Sequence, residues 1–304
     1  MDEVSLAAAV SRLLNVPCLS LRGLETGFSG ASTYIAEFTD WDVIVKVNAD
    51  VAALARTGRN LEILSDLGVP VPRLLAYDDS GSLLPGAIVI MERFAGRDLS
   101  AVIDTMSPAQ LTRLAQQIVD IQRTVATLPA PAGCGFVGIG ESATRTWTDV
   151  VWHPNGYDYA NPLPRDAAHL VPLLEQRLAA AAQYFERVVP TAFLDDATTK
   201  NVMVHDGELV GIVDLDWICY GDPLFHIGLT AAGVTADAEL PVSRHYIDEL
   251  IRLSGLTDDQ RRIVALYEGL FLTNFLVAEW PDKPGPWRRR AVDGAERALR
   301  LADG

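Results

Sequence analysis

Short runs of β-branched and aromatic residues, separated by Gly, Asp and Pro, dominate the first third of the chain, which is typical of strands joined by tight turns. The runs lie at residues 18–24, 32–39, 41–48 and 87–94. Between them, apolar residues recur at near-helical spacing over 51–68, and Gly68 is a stop signal. The pattern predicts a small antiparallel sheet with one main helix.

From Ser107 onward the apolar spacing becomes helical. Ser107 is an expected N-cap and Pro108 a first-turn residue of a long amphipathic helix. The pattern also predicts helices over 170–188, 245–255 and 258–280. The stretch 130–170 is rich in Gly, Pro, Asn and aromatic residues, which favours an insertion or lid over a core element.

Composition narrows the classes of protein that fit this pattern. The chain has 304 residues, of which 49% are apolar, with a mean hydropathy of +0.16, so it should fold around sizeable cores. It has no uncharged apolar run of 18 residues and no signal-peptide pattern at its start, so we expect a cytoplasmic protein without a membrane partner. The net charge of −15 disfavours nucleic acid and favours a cationic ligand.

The stretch FLDDATTKNVMVHDGELVGIVDLDW carries the main candidate chemistry. Asp196 stands five residues before Asn201, and Asn201 stands thirteen residues before Asp214. Two short strands joined by an Asp-Gly turn would bring Asn201 and Asp214 near each other, as oxygen ligands for Mg²⁺. Asp196 would then be a carboxylate able to orient, or accept a proton from, an attacking hydroxyl.

This spacing, followed by Gly-Asp-Pro at Asp222, resembles the signature of the aminoglycoside phosphotransferase family, a branch of the protein-kinase-like fold. The resemblance spans roughly residues 20–280. It implies a two-lobed α+β fold, with a nucleotide-binding lobe over 1–92 and a helical catalytic and acceptor-binding lobe over 93–304. It also implies that Asp222 is a structural residue of its turn.

The resemblance assigns roles to individual positions. Asp196 would be the catalytic base, and Asn201 and Asp214 would bind Mg²⁺. Lys46, inside the apolar run WDVIVKVN, would contact the α and β phosphates of ATP, with GTP as the alternative nucleotide. Residues of the phosphate-binding turn and of the adenine-binding hinge would be Gly27, Ser29, Gly30, Met91, Glu92 and Phe94.

Three positions depart from the family pattern: Leu194, Thr57 and Leu215, which follows Asp214 where the family usually has Trp or a similar residue. Leu194 stands where a His usually supports the catalytic loop. The Glu that usually pairs with Lys46 falls at Thr57, and the nearest acid on that helix, Glu62, lies about 140° around it. The partner of Lys46 is therefore open, and so is the role of Asp216, an extra metal ligand or a turn acid.

The acceptor is not defined by these residues, although charge and family favour amino sugars or aminoglycosides over macrolides or choline-like alcohols. Leu194 and the missing Glu leave a second hypothesis open, a nucleotide-binding pseudokinase without phosphotransfer. A kinase of a different small metabolite and the oligomeric state also remain open. Candidate contacts to a cationic or sugar acceptor are Asp158, Asp248, Glu249, Glu268, Glu279, Asp282, Trp152, Tyr157 and Tyr159.

Overall fold

The structure is a computed structural model that describes residues 2–24, 31–152, 163, 165–238, 240–277, 283 and 285–303. The chain forms two compact units. The first unit contains Met1–Ala95 and Val210–Trp217, and the second contains Gly96–Leu209 and Ile218–Gly304. The segment that carries Asp214 thus belongs to the first unit, whereas the segment that carries Asp196 belongs to the second.

The first unit is built on a five-stranded antiparallel sheet with the order β1-β2-β3-β5-β4. The strands are β1 (Ser20–Leu24), β2 (Ser32–Glu37), β3 (Asp42–Asn48), β4 (Leu74–Asp78) and β5 (Ala87–Glu92). Two helices accompany the sheet, α1 (Glu3–Leu14) and α2 (Val51–Asp66). Only α2 is predicted from the sequence pattern. It ends where predicted, since Gly68 adopts a φ of +84°.

Alternation along β3 places Lys46 with respect to the core of this unit. Val43, Val45 and Val47 pack in one buried cluster with Leu6 and other residues of α1. Because successive strand side chains point to opposite faces, Lys46 extends from the other face of the sheet. The charged side chain of Lys46 is thereby kept out of the cluster.

The second unit is mainly helical. Its helices are α3 (Pro108–Val125), α4 (Trp147–Trp152), α5 (Leu170–Ala180), α6 (Ala182–Phe185), α7 (Leu224–Asp237), α8 (Arg244–Leu253), α9 (Asp258–Leu276) and α10 (Gly285–Leu301). The predicted start of α3 is confirmed: Ser107 and Gln110 form a reciprocal capping box, and Pro108 is the first helical residue. The two units together are α+β, as predicted.

Six further strands are short. They are β6 (Arg97–Asp98), β7 (Gly135–Val137), β8 (Thr191–Phe193), β9 (Val202–His205), β10 (Glu208–Ile212) and β11 (Ile218–Gly221), in the orders β10-β9-β6 and β7-β11-β8. The predicted Asp-Gly turn joins β9 to β10, and Asp206 and Gly207 have φ values of 50° and 80°. Positive φ at both central residues is the requirement of a type I′ hairpin turn.

Several helices differ from the sequence prediction. The pattern does not predict α1, α7 or α10, and the single helix predicted over 170–188 is interrupted at Ala181. Among the described residues, no helix is long and apolar enough to cross a membrane.

The stretch predicted as an insertion or lid is partly core. Trp147 is 2% exposed and packs edge-on against Phe193, Phe225 and Tyr267. Its indole N–H donates to the Tyr267 hydroxyl at 2.7 Å, which satisfies the polar end of a buried ring. Residues 153–162 and 164, which complete the stretch, lie outside the described residues.

Candidate active site

Lys46 forms a buried ion pair with two aspartates of the first unit. Its ammonium donates to Asp214 Oδ1 at 2.7 Å and to Asp216 Oδ1 at 3.0 Å, and the Lys46 side chain is 11% exposed. Burial by itself would lower the pKa of Lys46, but the two carboxylates outweigh burial and raise that pKa above its usual value. Lys46 therefore carries a positive charge at neutral pH.

Thr57 stands where the family usually has a Glu, and it contacts the ion pair of Lys46 through its hydroxyl. The Thr57 hydroxyl donates to Asp216 Oδ1 at 2.8 Å, and the Asn60 amide donates to the Leu215 carbonyl at 3.0 Å. Asp216, fixed by α2 in this way, supplies the second negative charge beside Lys46. Glu62 is exposed, as expected of a surface charge. The ion-pair partner that the helix lacks thus comes from the segment after β10.

Asp214 has the exposure and chemistry of a metal ligand. Its backbone lies in the left-handed region, with φ of +61°, and its side chain is 50% exposed although one oxygen accepts from Lys46. A carboxylate has further lone pairs for a hard cation such as Mg²⁺. The described residues include no cluster of three or more His, Cys, Asp or Glu side chains that could hold a metal by itself.

The remaining predicted nucleotide contacts are only partly described. Gly27, Ser29 and Gly30 lie outside the described residues. In the hinge, Met91 is buried and the Phe94 ring packs where a Cβ on Gly211 would stand, 2.2 Å from the ring.

The backbone of the hinge is already hydrogen-bonded at one predicted position. The Glu92 N–H donates to the Arg73 carbonyl at 2.9 Å. Contact between that N–H and adenine would require this bond to break, so a different backbone group of the hinge is better placed to meet a nucleotide base.

The loop after β8 holds Asp196 at the surface of the second unit. The Thr198 hydroxyl donates to Asp196 Oδ1 at 2.9 Å, and the Asn201 amide donates to the Asp196 carbonyl at 3.0 Å. The loop is closed by a bond from the Val202 N–H to the Thr198 carbonyl at 3.0 Å. Because the nitrogen of Asn201 is engaged, its amide oxygen is the atom that can act as a metal ligand.

A buried glutamine of α3 supports this loop, whereas the usual support is a His at the position of Leu194. Gln122, 7% exposed on α3, donates to the Leu194 carbonyl at 2.8 Å and accepts from the Leu194 N–H at 3.0 Å. One amide thus satisfies both backbone groups of Leu194, two residues before Asp196. The support for the loop thus comes from α3, and not from the side chain at position 194.

Replacing Gln122 by Leu should slow catalysis and destabilise the fold. The Leu194 N–H would lose its partner, at a cost of about 1–3 kcal/mol, and the Leu194 carbonyl would keep only a longer bond from the Ala197 N–H at 3.5 Å, so the loop that carries Asp196 would shift. We expect kcat to fall by about tenfold to a hundredfold, since roughly 1 Å of misplacement has effects of that size. Steady-state kinetics and thermal melting measure both effects. Gln117→Leu, on the exposed face of the same helix, is the matched control, and equal kcat in the two variants would contradict this role.

Asp196 lines a cavity of about 220 Å³ that lies wholly within the second unit. The apolar lining residues are Leu229, Phe271, Phe275 and Trp287. The polar and small lining residues are Asp195, Asp196, Thr198, Thr199, Lys200, Gly233, Asp237, Asn274 and Lys283. A concave, largely apolar site with a few polar groups is typical of small-molecule binding.

One wall of this cavity is a chain of charged and aromatic groups. Asp237 accepts from the Trp287 indole N–H at 2.7 Å and lies 3.9 Å from the Lys200 ammonium. The Lys283 ammonium stands 5.3 Å from the centre of the Trp287 ring, within cation–π range. The wall is therefore of mixed sign rather than uniformly acidic.

The candidate acceptor-binding acids that the structure describes do not line this cavity. Glu268 is buried and accepts from Arg244 at 2.9 Å and from Thr235 at 2.7 Å, and Glu249 pairs with Arg252 at 2.7 Å. Neither lines the cavity, and both are compensated within the helical unit. Asp248 lies 3.7 Å from Arg244 on the helix surface, and Trp152 is half-buried at the end of α4. Asp158, Tyr157, Tyr159, Glu279 and Asp282 lie outside the described residues.

Asp222 has structural contacts on all sides. It is 5% exposed and accepts hydrogen bonds from the hydroxyls of Tyr184 and Tyr267, both at 2.9 Å, and from the Leu224 N–H at 3.1 Å. Burial raises the pKa of Asp222, while these three donors lower it in part. The carboxylate ties the turn before α7 to α6 and α9.

Sequence reasoning missed two polar residues that the structure places beside the candidate site. Gln122 follows Ile118 by four residues on the buried face of α3, and Asn274 follows Phe271 by three on α9. A polar residue at a position where the helical period requires an apolar one is the signal that could have identified both.

Crystal structures of small-molecule kinases have this fold. One of aminoglycoside phosphotransferase APH(4)-Ia is 16% identical, with a TM-score of 0.70 and coverage of 100% of both chains. The GDP and kanamycin complex of APH(2″)-IIIa is 14% identical, with a TM-score of 0.69 and coverage of 98% of this chain and 99% of that one. A putative fructosamine-3-kinase from Thermobifida fusca is 19% identical, with a TM-score of 0.58 and coverage of 97% and 99%. The fold is thus that of the protein-kinase-like small-molecule kinases.

The sequence itself carries the family assignment. The model of the phosphotransferase enzyme family (APH) matches residues 20–264, most of the chain. The chain belongs to this family and is a small-molecule kinase, as its sequence motifs predict. No curated protein matches it significantly in sequence.

Proposed function

We propose that the chain transfers the γ-phosphate of ATP, with GTP as the alternative donor, to a hydroxyl of a small molecule. The observation that carries the proposal is an exposed Asp196 carboxylate that lines a small cavity and stands on a loop fixed by Gln122 and Asn201. Asp196 would orient the acceptor hydroxyl and take its proton as the oxygen attacks the phosphorus.

The first unit would supply the nucleotide site. Lys46 keeps its charge in a buried position, where an ammonium can bind phosphate oxygens. Asp214, half-exposed on this unit, has the chemistry of a Mg²⁺ ligand, and so has the amide oxygen of Asn201 on the second unit. When bound, Mg²⁺ would neutralise negative charge on the phosphates.

Ligands of similar structures support a nucleotide and a hydroxylated acceptor. One structure of APH(4)-Ia, 17% identical with a TM-score of 0.68, contains ADP and hygromycin B, and that of APH(2″)-IIIa contains GDP and kanamycin. An aminoglycoside or amino-sugar-like compound is accordingly the acceptor class we propose.

An ADP-release assay with Mg·ATP tests the proposal against the pseudokinase alternative. The acceptor panel contains aminoglycosides, amino sugars, macrolides and amino alcohols, and calorimetry measures ATP binding in parallel. Release that depends on one acceptor supports phosphotransfer. ATP binding without release on any acceptor favours the pseudokinase.

Asp214→Asn should weaken nucleotide binding only when Mg²⁺ is present. The neutral amide keeps the shape of the side chain but removes the charge that a hard cation requires. We expect the Kd of Mg·ATP to rise by at least about tenfold, a typical cost of losing a charged contact, while the Kd of metal-free ATP changes little. Calorimetry with and without Mg²⁺ measures both values. Asp40→Asn, an exposed aspartate of the same unit, is the control, and equal Mg·ATP affinity in the two variants would refute the metal role.

A further inference from the structure

One residue that lines the cavity has a buried amide without a hydrogen-bond partner among the described residues. Asn274 on α9 is 3% exposed, and neither its nitrogen nor its oxygen has a partner among the described residues. Buried side-chain amides are nearly always hydrogen-bonded, because an unmet donor or acceptor loses its bond to water without compensation. Asn274 also lines the cavity together with Asp196. A ligand in the cavity is therefore the natural partner of this amide.

The size of the cavity limits what can enter. At about 220 Å³ it is smaller than the roughly 300–1,000 Å³ typical of sites that enclose drug-sized ligands. A single sugar-sized ring fits such a volume better than a whole multi-ring aminoglycoside does. The aromatic lining residues Phe271, Phe275 and Trp287 suit the C–H face of such a ring.

The charges around the cavity also disfavour a polycation. Among the described lining residues, three aspartates stand with Lys200 and Lys283. Asp237 already contacts Lys200 and Trp287, and Asp196 is reserved for the reacting hydroxyl in the proposed reaction. The three carboxylates and two ammonium groups leave one net negative charge, which a single ammonium group of a ligand would balance and several would exceed.

We propose that Asn274 is a specificity-determining residue of the acceptor site and that it binds adjacent hydroxyls of a compact, neutral or singly charged sugar-like acceptor. A primary amide offers a donor and an acceptor side by side, which matches a vicinal diol. This inference rests on the proposed function, in that Asp196 is taken to meet the reacting hydroxyl. It goes beyond that function by naming the shape and charge of the acceptor and the residue that selects it.

The experiment compares two compact probes with two polycations. The compact probes are glucosamine and glucose, and the polycations are kanamycin and hygromycin B. For the wild type, ADP release should give kcat/KM at least tenfold higher for a compact probe, and calorimetry should show the same order of affinity. A higher kcat/KM for kanamycin or hygromycin B, or no binding of either compact probe, would overturn the inference.

Variants at Asn274 test its role directly. Asn274→Leu should raise KM for the compact probe by about tenfold to a hundredfold with little change in kcat, because it removes binding to a group distant from the reacting oxygen. A probe that lacks one hydroxyl of the diol should lose this difference between wild type and variant. Thr273→Val is the matched control, since Thr273 is buried on the same helix and its hydroxyl bonds to the Gly269 carbonyl at 2.7 Å.

Stability and function are separated by further measurements. If Asn274→Leu melts at a much lower temperature than the wild type, Asn274→Ala replaces it as the test variant. Unchanged KM in a folded variant would overturn the role of Asn274. Binding of a compact probe without any phosphotransfer would support the inference and count against the proposed function, whereas transfer to polycations alone would do the reverse.

Discussion

Asp196→Asn should reduce kcat by about 10²–10⁴-fold, the range typical for loss of a general base. The asparagine oxygen can still accept from the Thr198 hydroxyl, and the backbone carbonyl can still accept from Asn201, so the loop keeps its shape. What is lost is the negative charge that attracts the proton of the acceptor hydroxyl. Steady-state kinetics should show this loss in kcat, with an unchanged KM for the nucleotide.

Asp206→Asn is the control for Asp196. Asp206 stands in the β9–β10 turn with 90% of its side chain exposed, and Asn tolerates its positive φ of 50°. This variant changes the charge of the chain by the same amount without touching the cavity. If Asp196→Asn kept kcat within a few-fold of the control, Asp196 could not be the base.

Lys46→Met should lower kcat/KM for the nucleotide by about a hundredfold or more. The ammonium bridges Asp214 and Asp216, and it is the proposed phosphate ligand of the first unit. Two charge-assisted contacts, those proposed to the α and β phosphates, would be lost, each worth roughly 1.5–3 kcal/mol, and 1.4 kcal/mol corresponds to about a tenfold change in affinity. Calorimetry with ATP and steady-state kinetics measure the loss.

The same variant should also be less stable, in a pH-dependent way. Asp214 and Asp216 raise the pKa of Lys46, so the Lys46 ammonium stabilises the fold below the ordinary pKa of Lys, about 10.4, and this contribution is lost as the pH rises above it. The melting-temperature difference between wild type and Lys46→Met should therefore be larger at about pH 7 than at about pH 11.

Thr57→Val provides the graded comparison for Lys46. It removes the hydroxyl that fixes Asp216 but leaves the ion pair to Lys46 intact. We expect a loss in kcat/KM clearly smaller than that of Lys46→Met. A loss as large as that of Lys46→Met would show that the geometry of Asp216, rather than the charge of Lys46, governs nucleotide binding.

Local rules explain why much of the fold could be predicted from sequence. Ser107 and Pro108 begin α3 because a capping hydroxyl and a ring-fixed φ suit the first turn of any helix. Asp206 and Gly207 form a hairpin because both tolerate positive φ. In contrast α7, which is apolar on nearly all sides, shows little helical period and escaped prediction for that reason.

The environment of the candidate site could not be predicted from sequence, because it depends on contacts between residues that are distant in sequence. Lys46 is separated from Asp214 by 168 residues, and Gln122 from Leu194 by 72. No local pattern specifies which acid pairs with a buried lysine or which side chain satisfies a loop carbonyl. Thr57 and Leu194 lack the side chains that the family usually has at these positions. In the structure, Asp216 pairs with Lys46 in place of the Glu, and Gln122 supports the loop in place of the His.

The sequence by itself determined the family, the α+β class and the candidate catalytic positions, because those depend on short spacings such as that from Asp196 to Asn201. Only the tertiary structure decided that Asp216 pairs with Lys46, that Gln122 supports the loop of Asp196 and that Asn274 lines a small cavity without a hydrogen-bond partner among the described residues. The reason is physical: a buried charge or amide is satisfied by whichever group packing brings within about 3 Å, and packing is a property of the whole chain.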